Sequence, residues 1–270
     1  MPPIQNLAFL LFVVSGFCGL IYQIVWLRLA FAAFGIVTPV LSVLLSAFMA
    51  GLALGSWLGG RLGARLSRRG PAACAIGYGL VEWGIAVGAI VVPWVFTRGE
   101  AALLTAGDWS SGSYLAASGV WIAVPVLWFA TLMGATFPLM MAFLRAALPG
   151  EQRSFSHLYL GNVIGAMLGA ATTATVLVEV FGFRDTLLVA AAGNVLVGGI
   201  SLLLPLGVHR TAARPQSAPS TAVAASAPRD SGLAPRLRLW LLFATGFTSL
   251  AMEVAWTRAF TPVLYTTIYA

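Results

Sequence analysis

The chain has 270 residues, 60% of them hydrophobic and only 9% charged, with a formal net charge of +7. A water-soluble domain carries roughly 25% charged residues, so this composition excludes a soluble globular fold. All fifteen cationic residues are arginines that flank apolar runs. The pI near 10.3 therefore reflects membrane orientation and not a nucleic-acid partner.

Apolar runs long enough to cross a bilayer, about 20 residues at 1.5 Å rise, are predicted near 7–33, 38–60, 72–96, 115–144, 156–180, 185–207 and 237–261. The N-terminus MPPIQNLAF lacks a basic flank and a small-residue cleavage site, so it reads as a retained first span. On helix one, Gly16, Gly19 and Gln23 follow i, i+3, i+7 spacing, which turns the Gln23 amide toward a helix interface. Arg28 falls at the outer boundary, where it either snorkels to headgroups or pairs with an acid.

Gly51, Gly55 and Gly59 form a small-residue stripe on helix two, and Gly161, Gly165 and Gly169 form another on helix five, with Asn162 beside it. Such stripes let backbones approach closely, either as static packing or as a sliding surface. Glu82 lies about 15 Å into helix three, near the midplane. An acid there is a substrate or proton site, or a neutral group hydrogen-bonded across helices. Helix four is overlong and carries Pro125 and Pro138, so it is expected to tilt or kink.

The connections after helices two, four and six hold eleven arginines, while the opposite-side loops hold only Arg98 and Arg184. This alternation predicts a cytoplasmic N-terminus. The domains expected are a six-helix bundle over 1–207, a cytoplasmic Pro/Ala/Ser-rich linker over 208–236, and a seventh span within 237–270.

That seventh span repeats the first. SGFCGLIYQIVWLR at 15–28 returns as TGFTSLAMEVAWTR at 245–258, with Glu253 answering Gln23 and Arg258 answering Arg28. Glu253 carries the same two readings as Glu82. Seven spans leave the second copy without its partners, so further helices or domains are expected beyond this sequence. No catalytic set, metal cluster, phosphate loop or cofactor motif is present. Cys18, Cys74, His157 and His209 have no partners at useful spacing.

Two resemblances attach to these residues. The stretch GGRLGARLSRRG at 59–70 resembles the loop between helices two and three of major facilitator proteins. Gly60, Leu62, Arg65, Arg68 and Arg69 fit, with Arg61 among them. Ala64 stands where that family has a gating aspartate. A parallel repeat after a cytoplasmic linker is likewise how the two halves of those transporters are related.

SGFCGLIYQIVWLRL at 15–29, AFMAGLALGSWLGGRL at 47–62, GATFPLM at 134–140 and LYLGNVIGAMLGA at 158–170 together resemble the membrane region of bacterial multispanning spermidine-synthase-like proteins. There, a major-facilitator-like helical region precedes an aminopropyltransferase-like domain. That family commonly has an acid at the position of Gln23. The resemblance implies an all-α membrane protein with a major-facilitator-like six-helix bundle plus the first helix of a second repeat, in a bacterial inner membrane. It also implies a cationic amine as ligand and a synthase-like domain as downstream partner, with no catalytic residues in this stretch. A major-facilitator-type transporter or flippase half, and a non-transporting scaffold, are the alternatives.

Overall fold

The computed structural model describes residues 3–107, 109–148, 154–205 and 234–264, and among them every regular element is helical. The helices are α1 (Pro3–Phe34), α2 (Thr38–Ser67), α3 (Pro71–Thr105), α4 (Ser111–Ala147), α5 (Ser154–Thr172), a π-helical stretch at Thr173–Leu177, α6 (Val178–Ser201) and α7 (Pro235–Leu264). The chain divides into two compact units, Met1–Thr211 and Ala212–Ala270. α7 belongs to the second and is described by itself. Most of the expected linker lies outside the described residues.

α1 to α4, and the stretch Phe155–Ser201, are long and apolar enough to cross a membrane. Their outward faces are apolar as well: on α3, Ile76, Leu80, Trp83, Val87, Ile90 and Trp94 are exposed at alternating spacings of four and three. In water such a stripe would be a large liability; against lipid it is the expected surface. The protein is an all-α, multi-pass membrane protein.

Glycine and proline set the helix ends. Gly70, at φ 104°, takes a backbone conformation that L side chains rarely adopt, and Pro71 then opens α3 with its fixed φ. Nothing breaks the helix before that point, so α2 continues to Ser67. The predicted basic loop at 59–70 is therefore mostly helical, a difference from the sequence reading. Gly60, Arg61 and Arg65 belong to the last turns of α2, and only Arg68, Arg69 and Gly70 form the connection. α4 stays helical through both of its prolines.

Gly182 matters most for topology. At about 1.5 Å per residue, an unbroken helix over 155–201 would be about 70 Å long, more than twice the roughly 30 Å hydrocarbon core. Gly182 interrupts it with φ 71° and ψ 180°. Thr186 Oγ1 then donates back to the Leu177 carbonyl at 2.9 Å.

Neighbouring contacts fix the helix directions. α5 runs parallel to α1, with Gly161, Gly165 and Gly169 meeting Phe9, Val13 and Phe17 in that order. α6 runs antiparallel to α3: Asn194 meets Glu82, and Ser201 meets Ala75. α4 also runs antiparallel to α3, with Gly77, Gly88 and Gly99 facing Leu139, Phe129 and Trp121. α2 runs parallel to α4, and α3 parallel to α1, where Phe12 stacks near Tyr78, Ser15 bonds Glu82 and Trp26 meets Gly88. Within this unit α1, α3 and α5 therefore point one way and α2, α4 and α6 the other.

Candidate functional site

Two glycine seams build the frame. A Cβ at Gly51 would lie 2.5 Å from the Ala130 Cβ, and one at Gly55 would run into the Thr131 carbonyl oxygen. One at Gly59 would lie 2.7 Å from the Ala135 Cα, and Gly63 continues the row against Ala142. This is the α2–α4 seam. In the α1–α5 seam, Gly165 meets the Val13 carbonyl and Gly169 the Phe17 carbonyl. Gly16 lies against Asn162, whose carbonyl oxygen a Cβ there would hit. Neither seam has room for one methyl group.

Between the seams the helices stand apart and leave a cavity of about 550 Å³. Its polar lining comes from Ser15 and Gln23 of α1, Ser56 of α2, Thr136 of α4, Asn162 of α5 and Asn194 of α6. Phe12, Phe48, Phe137 and Tyr159 contribute aromatic surface. The volume lies within the range of small-molecule sites, as does the mix of an apolar wall with a few polar groups.

Glu82 stands just behind this wall. It projects from the face of α3 opposite the lipid stripe and is 0% exposed. Ser15 Oγ donates to its Oε1 at 2.9 Å, and Asn194 Nδ2 donates to its Oε2 at 2.5 Å. Each carboxylate oxygen is thus held by a different helix, and both holding side chains line the cavity. Tyr78, one turn earlier on α3, is fully buried beside the same carboxylate, and its hydroxyl makes no hydrogen bond of good geometry. Cys18 and Tyr22 of α1 complete the ionisable surroundings.

Glycines also place Asn194. Its neighbour Gly193 lies against Cys18, where a Cβ would be 2.5 Å from the sulfur, and Gly198 lies against Gly79 and Trp83. Trp83 Nε1 donates to the Val195 carbonyl at 3.1 Å, which pins α6 to α3 one residue beyond Asn194.

The residues singled out from the sequence fall in several places. Glu82 is inside the bundle, Gln23 and Asn162 are on the cavity wall, and the six stripe glycines face partner helices. Arg61 lies over the Trp57 ring, 3.6 Å from its centroid, at the end of α2. Arg28 is partly buried in the last two turns of α1. Glu253 is exposed on α7, in the other unit, and the Arg258 side chain lies outside the described residues.

Sequence reasoning missed Ser15, Tyr78 and Asn194. For Asn194 a signal was present: between Thr186 and Leu204 the only polar side chains are Asn194 and Ser201. An amide isolated in such a run calls for a partner on another helix.

Comparison with family models, curated proteins and solved structures returned no match to this chain.

Proposed function

We propose that this chain is the membrane module of a spermidine-synthase-like protein and that its cavity handles cationic amines. The observation that carries the proposal is a carboxylate buried behind the wall of a cavity and fixed by two side chains of that wall. A scaffold needs no more than an interhelical hydrogen bond at such a place, whereas a carboxylate whose two holding side chains both line a cavity is positioned to act on what enters it. A cation about 6 Å from the carboxylate, at an effective dielectric near 20, gains about 3 kcal/mol, on the order of a hundredfold in affinity. The aromatic rings of the wall add favourable faces for the same charge.

The polyamine identity comes from the resemblance of residues 15–29, 47–62, 134–140 and 158–170. The arginine alternation supports a cytoplasmic N-terminus in a bacterial inner membrane, and the restart at 245–258 supports a major-facilitator-like arrangement of two parallel repeats. A transporter or flippase half is the second reading, favoured by that same restart.

Equilibrium dialysis of the full chain in lipid nanodiscs against labelled spermidine tests the proposal. Saturable binding is expected, weakened at least tenfold by Glu82→Gln. Absence of binding to well-folded protein would leave the scaffold reading in its place.

A further inference from the structure

The Asn194 carboxamide has two edges, and only one is used. Nδ2 donates to Glu82, whereas Oδ1 has no hydrogen-bond partner among the described residues, although Asn194 is 1% exposed and lies on the cavity wall. The orientation follows from the hydrogen bond: Glu82 Oε2 accepts from the NH₂ group, which leaves the carbonyl oxygen for another partner. Buried acceptors are normally satisfied, and one left without a partner on a side chain of the cavity wall marks a place for a donor.

The surroundings narrow the choice of donor. Among the described residues the cavity wall carries no basic side chain, and the acid nearest to it is Glu82, behind Asn194. An anion would meet an acceptor edge backed by negative charge. A neutral hydroxyl would satisfy Oδ1 but gain nothing from Glu82. An ammonium bearing N–H groups satisfies both, and the Phe12, Phe137 and Tyr159 rings suit the methylenes next to it.

We propose that Asn194 and Glu82 form a subsite for a primary or secondary ammonium, with Asn194 Oδ1 as the direct acceptor and Glu82 as the fixed counter-charge behind it. This deepens the amine reading above and rests on it. Glu82 holds the carboxamide in the accepting orientation, and Ser15 holds Glu82. Recognition therefore requires an N–H, not charge alone, so a quaternary ammonium of the same chain length is discriminated against.

The test is displacement of labelled spermidine from the full chain in nanodiscs by n-pentylammonium and by n-pentyltrimethylammonium. The primary ammonium is expected to displace at a concentration at least tenfold lower. Asn194→Leu, close in shape, brings that ratio near one while leaving displacement measurable. Asn194→Val, which likewise has no acceptor, does the same if the leucine variant fails to fold. Asn194→Asp retains an acceptor edge and retains the preference. Equal displacement by both ammoniums in the unmodified chain overturns the subsite while the amine reading stands. A ratio unchanged by the leucine and valine variants removes Asn194 from it. If spermidine does not bind at all, both proposals fall together.

Discussion

The α2–α4 seam and the α1–α3–α6 junction at Glu82 hold helices together by opposite means. The seam omits side chains: Gly51, Gly55, Gly59 and Gly63 let backbone meet backbone, and the only side-chain hydrogen bond across it runs from Ser56 Oγ to the Gly134 carbonyl at 3.3 Å, among the described residues. The junction depends on side chains, with one carboxylate gripped from two directions. Lipid supplies no hydrophobic drive between helices, so close packing does the work in the first case and interhelical hydrogen bonds in the second. The seam is unforgiving of bulk and indifferent to polarity. The junction tolerates changes of volume poorly only where they leave a polar atom without a partner.

Substitutions separate the two regions. The largest effect is expected from Gly55→Leu, which would drive a side chain into the Thr131 carbonyl and the Gly134 Cα. Overpacking of that kind costs about 1–3 kcal/mol where neighbours can shift. Backbone cannot shift cheaply, so folded protein should be nearly absent by size-exclusion of solubilised membranes.

Glu82→Leu comes next. It leaves Ser15 and Asn194 without their acceptor, at about 0.6–2 kcal/mol each by membrane-protein measurements, and should lower the thermal unfolding midpoint measurably. Glu82→Gln should recover most of that stability because its amide oxygen still accepts. It therefore splits the structural role of Glu82 from the ligand role proposed for it.

Trp83→Phe removes the hydrogen bond to Val195 on α6 and should cost about 0.6 kcal/mol, a small shift in the same assay. Gly60→Ala marks the floor. Gly60 is in the same helix as the seam, but a Cβ there meets nothing within 4 Å. Its effect should stay within about 0.5 kcal/mol. A Gly60→Ala loss as large as that of Gly55→Leu would mean that close approach does not govern the stripe, because helix propensity alone favours the alanine.

The two regions were also unequally legible. A glycine stripe is a local pattern: Gly51, Gly55 and Gly59 share a face by helical arithmetic, so their contact with another helix follows from sequence alone. Which helix they meet does not. Glu82 was legible as an acid at depth, for the same reason. Its partners were not, because Ser15 and Asn194 stand 67 and 112 residues away and only the bundle's folding brings them together. The cavity was invisible for a further reason. It is defined by where helices fail to touch, and no residue pattern encodes an absence. The basic motif at 59–70 misled in the other direction, because charge suggested a loop where, without a breaker before Gly70, the chain simply stays helical.

A bilayer counts crossings, and Gly182 sets the count. With the break at φ 71°, α5 and α6 run in opposite directions, so the Ser154 and Ser201 ends lie on the same side of the bundle. If that glycine were made helical, the reversal between α5 and α6 would be lost, and with it the parity of every later segment. A single backbone angle thus decides which compartment receives whatever the chain carries next. Glycosylation-acceptor or cysteine-labelling reporters placed after Ser201 in a Gly182→Ala variant would read that decision directly.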